Sequence, residues 1–528
     1  MGASRESRGS SKLRTLRDRR LSTELPRRAL LGGLVSVSAL LIVGLPAWPE
    51  GVEQESPFDG SLVRRLARAL AEKPYEVPST PLPDSLTNLT YDQYRSIRFD
   101  PQRALWSDSN QNFKVQFFHR GFFYKDRVEV FVVDKGHSSL VRYSPDDFTF
   151  GLIPRPNLGD VGFAGFRIHY PLNRPDYNDE ICTFLGASYF RAVAKGQGYG
   201  ISARGLAIKT ANSAGEEFPL FKSFWIETPP PNADSIVVHA LLDSPSAAGA
   251  FRFTIRPGEE TIFDTEAAIY PRVDIAECGI APLTSMFYFD VNDRTGVDDY
   301  RAAVHDSEGL SIRNGRNEQL WRPLTNPKDL QVSVFSDVDP RGFGLLQRKR
   351  AFIDYQDLEA HYERRPSLWI EPIGNWGEGS VNLIEIPSNK EINDNIVSFW
   401  RPKEALRAHQ EYLLNYRQHW CWSPSPKSGL AEAVGTRTGR GSAPGSRIFV
   451  VDFVGDRLKG LPKDRGPHAE VKASKGTVQR IVTQPNPESD GWRTSFELLP
   501  GDEKLVELQA RLLDAEPLSE TWLYRWQS

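Results

Sequence analysis

The sequence predicts a mainly β protein whose body is a large antiparallel β-sandwich. Beyond residue 110, apolar and β-branched residues recur with a period of two, the spacing of a strand with one buried face. Turn residues separate these stretches, and the chain holds 41 Gly and 38 Pro. The sequence shows neither regular strand–helix alternation nor a Gly-rich phosphate loop, which argues against a parallel α/β fold. Because 528 residues exceed what one core normally supports, we expect two domains.

Residues 1–48 are predicted to be an export segment. A basic arm ends in Arg27–Arg28, and an uncharged run follows from Ala29 to Trp48. Paired arginines before a modestly hydrophobic stretch are typical of a twin-arginine signal, which indicates a periplasmic protein. An uncharged run of this length can also span a bilayer, so a cleaved signal and a retained anchor both stay open. No other membrane contact is expected.

The charge of the remaining chain excludes one function class. The net charge is −3 although the first 28 residues are strongly basic, so the body is acidic. Nucleic-acid binding needs a basic footprint, and no such partner is expected. Cys182, Cys278 and Cys421 are too few for a disulfide framework and lack zinc spacing. We expect buried thiols, with one bridge as the alternative, and neither a metal nor a cofactor.

The first predicted element of the body is a short amphipathic helix over residues 61–70, with apolar side chains on one face and arginines opposite. Alternating or β-branched stretches then predict strands at 126–134, 235–243, 251–270, 331–338 and 379–387. Within the third stretch, Pro257 and Gly258 indicate a hairpin turn. Together, residues 52–420 are predicted to form the sandwich domain.

The C-terminal part is predicted to be a second, smaller β domain over residues 447–528. The preceding residues, 421–446, are rich in Ser, Pro and Gly and lack an apolar period, which predicts a linker or long loop. Near the C-terminus, Val506, Leu508 and Leu512 belong to an alternating pattern that favours a strand. Leucine spacing in the same stretch also suits a helix.

Carboxylates stand beside aromatic residues throughout residues 286–400. A flat ring can cover the C–H face of a pyranose while charged groups bind the hydroxyls, so this composition suggests a carbohydrate cleft. Packing in the core is the alternative for any one ring. The candidate sugar contacts are Trp321, Trp369, Trp376, Tyr355, Tyr362 and Phe343.

Two carboxyl groups could cleave a glycosidic bond, one as a protonated acid and one as a base or nucleophile. In EINDNIVSFW, residues 391–400, Glu391 and Asp394 precede an apolar strand. Burial and the nearby Glu391 would both favour a protonated Asp394, whereas a plain turn residue is the alternative. His305, Asp306 and Ser307 cannot act as a triad, because adjacent side chains in an extended chain point to opposite faces.

Long motifs between about residue 55 and residue 526 carry a family resemblance. They include DVGFAGFRIHYPLN (160–173), FLGASYFRAVAKGQGYGISARGLAI (184–208), VHDSEGLSI (304–312), RRPSLWIEPIGNWGEGSVNLIEIP (364–387) and DNIVSFW (394–400). The sequence resembles the periplasmic glucan biosynthesis family of OpgG and OpgD (MdoG), and its leader is more similar to the OpgD branch. The resemblance implies a galactose-mutarotase-like β-sandwich joined to an immunoglobulin-like β domain.

The resemblance also implies a function: making osmoregulated periplasmic glucans, with inverting hydrolysis of β-1,2-glucan. It assigns Asp394 as general acid, Asp306 as general base, Glu391 as support for the proton path and Tyr362 as a sugar contact. The sequence departs from the family pattern at Ile392, where members carry Thr, so a hydroxyl that could hold a water is missing.

Several alternatives remain open at the level of the sequence. A non-catalytic glucan-binding or assembly protein would explain the aromatic residues and the export signal equally well. A mutarotase-like or transferase activity on the same sugars is a further alternative. A homodimer and an association with the glucan-synthesis machinery also stay open as partners besides β-1,2-glucan itself.

Overall fold

Segments with a period-two apolar pattern form β-strands in the computed structural model of the chain. The structure describes residues 56–78, 81–155, 157, 159–424, 428–462 and 466–528. The predicted export segment, with Arg27–Arg28, lies outside the described residues. No helix in the described ranges has the length and apolar character that crossing a bilayer requires.

Helical structure is sparse in the described chain. The α-helices are α1 (Leu62–Ala71), α2 (Asp84–Thr87) and α3 (Tyr91–Arg95). Single 3-10 turns occur at Pro101–Arg103, Pro145–Asp147, Phe352–Asp354, Tyr362–Arg364 and Asp456–Leu458. The predicted first helix is confirmed as α1, which buries Val63, Ala67 and Ala71 in a cluster with Trp225 and Tyr270 of the underlying sheet.

The strands of the first half are β1 (Ser56–Pro57), β2 (Arg98–Phe99), β3 (Lys114–His119), β4 (Glu129–Asp134), β5 (His137–Leu140), β6 (Phe148–Thr149), β7 (Phe163–Arg174), β8 (Tyr177–Leu185), β9 (Tyr189–Ala192), β10 (Ser202–Arg204), β11 (Ala207–Ile208), β12 (Leu220–Glu227), β13 (Ile236–Asp243), β14 (Ala247–Arg256), β15 (Thr261–Pro271), β16 (Cys278–Ser285) and β17 (Phe287–Phe289).

The strands of the second half are β18 (Val304–His305), β19 (Gly309–Arg313), β20 (Gln319–Pro323), β21 (Gln331–Val338), β22 (Gly342–Leu346), β23 (Ser367–Ile373), β24 (Glu378–Glu385), β25 (Ile396–Pro402), β26 (Tyr412–Cys421), β27 (Glu432–Arg440), β28 (Arg447–Val454), β29 (His468–Ala473), β30 (Thr477–Asn486), β31 (Gly491–Leu499), β32 (Leu505–Leu513) and β33 (Thr521–Gln527). All five predicted strand regions are confirmed, and the C-terminal alternating stretch is the strand β32.

Two large sheets organise the described chain. One has 15 strands in the order β1-β5-β4-β12-β13-β14-β15-β26-β23-β22-β19-β20-β33-β32-β29. The other has 10 strands, with β21-β24-β25-β16-β10-β9-β8-β7-β3 as its main path. Neighbours are mostly antiparallel, but β12 pairs in parallel with β4 and β33 with β20. The mainly β prediction and the β-sandwich class are therefore confirmed.

Aromatic rings from the two large sheets share one core. The ring centroids of Phe166 and Phe224 lie 4.9 Å apart, and those of Phe184 and Phe253 lie 5.6 Å apart. These separations fall in the range that favours edge-to-face and offset stacking. Because β7 and β8 belong to one sheet and β12 and β14 to the other, these contacts hold the two layers together.

The C-terminal strands have their own core but remain joined to the main sheet. One four-stranded sheet has the order β27-β28-β31-β30, while β33, β32 and β29 continue the 15-stranded sheet. Phe449, Phe496, Val506 and Trp522 belong to a cluster that these two layers share. The junction is short, with Leu320 opposite Thr521 and Trp321 opposite Trp522.

The predicted linker over residues 421–446 is only partly a loop. Residues 432–440 form β27, which pairs with β28 from Glu432 opposite Val454 to Arg440 opposite Arg447. Pairing with β28 makes this segment a strand, although its sequence has no apolar period. The described residues all fall within one compact unit, so the predicted domain boundaries stay a prediction.

Candidate active site

Asp394 lies at the end of a loop that Asn395 fixes to the body of the protein. The buried Asn395 side chain accepts a hydrogen bond from the Phe287 backbone N–H at 2.8 Å. Its amide donates to the carbonyls of Phe287 at 2.9 Å and Ile386 at 3.0 Å. Asp394 therefore has a fixed position immediately before the hydrophobic strand β25.

The surroundings of Asp394 favour its protonated form. Burial raises the pKa of this carboxyl above its usual value, and the negative charge of Asp306 raises it further. Arg191 opposes this effect, with its Nη2 3.5 Å from Oδ2 of Asp394. Solvent still reaches 33% of the Asp394 side chain, so a substrate can reach its carboxyl group.

Asp306 is nearly buried and directly follows β18. Its backbone N–H donates to the Met286 carbonyl at 2.8 Å, and the residue is 7% exposed. Its Oδ1 has no hydrogen-bond partner, although Nε of Arg365 lies 3.6 Å away. A buried carboxylate oxygen without a partner normally calls for an explanation, and an acceptor kept for a water or a sugar hydroxyl is one.

Glu391 is held by an arginine. Arg301 pairs with Glu391 at 2.7 Å and also with Asp299 and Asp357, both at 2.8 Å. The expectation that Glu391 keeps Asp394 protonated is wrong, because Arg301 compensates the charge of Glu391 and the carboxylate that raises the Asp394 pKa is Asp306. The side chain of Ile392, which follows Glu391, is 82% exposed and supplies no hydroxyl.

Tyr362 lies close enough to Glu391 and Asp306 for their charges to affect its phenol. Burial raises the pKa of its phenol, and the charges of Glu391 and Asp306 add to this rise. The guanidinium of Arg365 lies 5.2 Å from the centre of the Tyr362 ring. The structure therefore brings Tyr362, Asp306 and Glu391 into one electrostatic neighbourhood, and Asp306 links them to Asp394.

The other five candidate aromatic residues are buried. Tyr355, Phe343 and Trp321 are at most 1% exposed, and Trp369 and Trp376 are 8% and 9% exposed. Burial leaves these rings little free face for a sugar, and Tyr362, at 4% exposure, is buried as well, so sugar stacking stays a prediction for all six. Glycines explain part of this burial, because a Cβ at Gly309 would collide with Trp321 and one at Gly342 with Trp369.

The buried rings have structural contacts instead. Trp321 supports the guanidinium of Arg348, which lies 3.5 Å from its ring centroid. Trp376 packs against Trp400 and Tyr416, and its Nε1 donates to the Asn415 carbonyl. Tyr355 lies beside Tyr362, with ring centroids 5.9 Å apart.

A cleft of about 570 Å³ lies near the two aspartates, although neither of them lines it. Arg191 lines it and also lies against Asp394, while the Tyr199 carbonyl in its wall accepts a hydrogen bond from Arg365, the neighbour of Asp306. Its volume falls in the range of ligand pockets. The other lining residues include Phe123, Tyr124, Glu180, Thr183, Tyr189 and Ser202.

Sequence reasoning missed the residues of this cleft. Tyr189, Arg191, Tyr199 and Ser202 all fall within the motif at residues 184–208, which supplied a resemblance but no assigned role. Arg191 donates from Nε to the Ser202 hydroxyl at 2.6 Å, and this contact fixes the guanidinium beside Asp394. A polar residue flanked by apolar ones in a strand was the available signal.

The fold and the site together define a mainly β protein with an open cleft lined by aromatic rings, one arginine and two carboxylates. A family model described as "Periplasmic glucan biosynthesis protein, MdoG" matches residues 58–526. The chain belongs to this family of periplasmic glucan biosynthesis proteins.

Relatives named "Glucans biosynthesis protein G" match nearly the whole chain. The protein of Bradyrhizobium diazoefficiens is 56% identical over 509 residues, which cover 95% of this chain and 99% of the relative. The relative from Rhodopseudomonas palustris strain BisA53 is 54% identical over 503 residues, with the same coverage. The Vibrio cholerae relative is 50% identical over 478 residues, 89% of this chain and 87% of its own. These names give no support to a closer likeness to the OpgD branch.

Proposed function

We propose that this protein hydrolyses β-1,2-glucan with inversion, as a step in periplasmic glucan biosynthesis. Asp394 is the general acid, and Asp306 is the general base. The observation that supports the proposal is the pairing of a carboxyl with a raised pKa and a buried carboxylate whose Oδ1 has no hydrogen-bond partner, both connected to one cleft through Arg191 and Arg365.

Each carboxyl has the environment that its role requires. Burial and the charge of Asp306 favour the protonated form of Asp394, whose proton can pass to the leaving glycosidic oxygen. Oδ1 of Asp306 can accept the proton of the attacking water, directly or through a sugar hydroxyl. Arg301 holds the neighbouring Glu391, whereas Arg191 lies 3.5 Å from Asp394 and Arg365 lies 3.6 Å from Asp306, where they can orient the two carboxyl groups.

Two substitutions test the assignment. Asp394→Asn and Asp306→Asn should each lower the release of reducing ends from linear β-1,2-glucan by about a hundredfold or more, because each removes one proton transfer. Asp176→Asn, on an exposed hairpin, is the matched control and should keep full activity. Near-normal activity in either site variant would refute the role of that residue.

A second function is favoured by one specific observation. Ile392 supplies no hydroxyl to relay a proton, so the cleft could hold glucan without cutting it, as a binding or assembly protein. Incubation with β-1,2-, β-1,3- and β-1,4-glucans separates the two functions. Binding of β-1,2-glucan without new reducing ends supports the assembly role, and inverted product anomers seen by NMR support hydrolysis.

Export by the twin-arginine route is part of the proposal. The pair Arg27–Arg28 carries it, and the family description as periplasmic agrees with the destination. Retention of an Arg27→Lys, Arg28→Lys double variant in the cytoplasm would support this route.

A further inference from the structure

A group of neighbouring aromatic rings adjoins the cleft, and two of them, Phe123 and Tyr124, line it. This aromatic strip consists of Tyr91, Tyr94, Phe122, Phe123 and Tyr124. Ring centroids are 6.2 Å apart for Tyr91 and Phe122, 4.0 Å for Phe122 and Phe123, and 5.4 Å for Tyr94 and Tyr124. Phe123 is 80% exposed and Tyr91 is 60% exposed. Tyr94, Phe122 and Tyr124 are half-buried and support these two exposed rings, and an exposed apolar ring beside a cleft is available to a ligand.

The turn that carries Phe123 is held rigidly. Gly121 and Tyr124 exchange two backbone hydrogen bonds of 2.9 Å. The buried Arg120 donates from Nε to the Lys125 carbonyl at 2.8 Å and from Nη1 to the Val161 carbonyl at 2.7 Å. Phe123 therefore stays exposed because its backbone is fixed.

Phe122 has an unusual backbone conformation. Its φ is 55°, in the left-handed region that bulky residues rarely adopt. Strain of this type is kept where the surrounding structure requires it, often at ligand sites. Here it places two adjacent phenylalanine rings side by side at the surface, with Phe123 outermost.

The strip is continuous with the proposed catalytic site. Phe123 and Tyr124 line the same cleft as Arg191, and Arg191 contacts Asp394. Polar groups accompany the rings, since the Tyr94 hydroxyl donates to the His119 carbonyl and Glu180 and Ser202 lie in the cleft wall. Apolar faces with polar groups at their edges match a pyranose, which has C–H faces and hydroxyl edges.

We propose that the aromatic strip is a distal sugar subsite, in which Phe123 stacks on a glucose unit of a β-glucan chain several units from the bond next to Asp394. This inference rests on the proposed function and extends it, because it makes chain length a determinant of binding. Short oligosaccharides occupy only the part of the cleft next to Arg191 and Asp394, whereas longer chains also reach the exposed ring of Phe123.

Calorimetric titration with β-1,2-linked glucose oligosaccharides of increasing length tests the subsite. The full chain carries Asp394→Asn throughout, so that no substrate is consumed. Adding Phe123→Ala should weaken the binding of long oligosaccharides about tenfold and leave the shortest bound ones unchanged. Phe123→Trp should restore the affinity, because a larger ring keeps the stacking face.

Tyr177→Ala is the matched control. Tyr177 is also 60% exposed, but it lies on the β7–β8 hairpin and does not line the cleft. Equal affinity of Phe123→Ala and the parent at every length, or an equal loss at every length, would overturn the subsite. A change of sedimentation from dimer to monomer in Phe123→Ala would overturn it as well, because the ring would then be a protein contact.

Kinetic measurements distinguish a failure of the subsite proposal from a failure of the hydrolase proposal. With Asp394 intact, Phe123→Ala should raise KM for long glucan and leave kcat nearly unchanged. If the protein releases no reducing ends but Phe123→Ala still causes a length-dependent loss of binding, the result supports the subsite and contradicts the hydrolase. If Phe123→Ala leaves KM unchanged and hydrolysis is normal, the result contradicts only the subsite.

Discussion

Arg191 is the residue through which the proton affinity of Asp394 can be adjusted. Its guanidinium lies 3.5 Å from the carboxylate and lowers a pKa that burial and Asp306 raise. A general acid works only while it is protonated, so activity falls as pH rises through the pKa of Asp394.

Replacing Arg191 should therefore move the alkaline limb of the pH profile. Arg191→Gln removes a positive charge, raises the Asp394 pKa further and shifts the fall of kcat/KM to higher pH. Arg191→Lys keeps the charge and should leave the limb near its original position. The measurement is kcat/KM for β-1,2-glucan from about pH 4 to about pH 9, a range that covers the usual carboxyl and histidine pKa values. A limb that stays in place or moves to lower pH in Arg191→Gln contradicts the assignment of the acid.

The residue types of the site were predictable, but their electrostatic partners were not. The sequence placed Asp394 before a buried strand and Glu391 next to it. Contacts across the fold decide which carboxylate raises the pKa of Asp394. Arg301 forms an ion pair with Glu391, and Asp306, which follows β18, raises the Asp394 pKa. Sequence distance is a poor guide to such pairs, because charges interact through space.

At the scale of elements, close strand pairing depends on particular glycines. Gly165 in β7 lies opposite Leu185 in β8, and a Cβ at this position would run into the Phe184 carbonyl oxygen. The backbone of a paired strand cannot move aside as a flexible side chain can, so the clash must distort the sheet.

Gly165→Ala should lower the free energy of unfolding by about 2 kcal/mol, the usual cost of overpacking. Gly159→Ala is the control, since a Cβ there would meet nothing within 4 Å. Urea unfolding followed by tryptophan fluorescence gives both values. A Gly165→Ala variant as stable as the control would show that β7 and β8 can separate without cost.

Strands were easier to predict than the exposure of the rings that flank them. The period of two identifies β4, β13, β14, β21 and β24 without knowledge of their neighbours. Trp321 and Trp369 stand beside turns in the sequence, which suggests exposure. Each covers a glycine in the fold, Gly309 and Gly342 respectively, and this coverage depends on strand register that no local pattern specifies.

At the scale of the whole molecule, one ion pair joins the C-terminal strands to the main body. Arg348 contacts both carboxylate oxygens of Glu520, at 2.5 Å and 3.0 Å, and also donates to the Ala433 carbonyl at 2.9 Å. The side chains of Arg348 and Glu520 are only 11% and 1% exposed. Removing one partner leaves a buried charge uncompensated.

Arg348→Met should therefore lower the free energy of unfolding by about 3 kcal/mol or more. The double variant Arg348→Met, Glu520→Leu should recover part of this loss, because it removes both charges. Arg316→Gln, in an exposed pair with Glu318, is the control and should change stability by less than about 1 kcal/mol. Equal stability of the single and double variants in urea would mean that packing, and not charge, explains the loss.

The composition of residues 421–446 predicted a linker because it has no apolar period. In the fold, β27 lies within this range and gains its order from β28. Edge pairing of this kind comes from backbone hydrogen bonds, which any sequence without proline can make. The overall β architecture was thus predictable, whereas the way its C-terminal strands extend the main sheet was not.

The three cysteine thiols have low reactivity in the folded protein. Cys182, Cys278 and Cys421 are unpaired and buried in β8, β16 and β26, and burial raises the pKa of each thiol. A protonated sulfur shielded from solvent is a poor nucleophile, so oxidants have no thiolate to attack. None of the three cysteines is in a disulfide, so this fold does not depend on one. Its sulfurs become reactive only when a strand opens, which makes them internal reporters of strand opening in both large sheets.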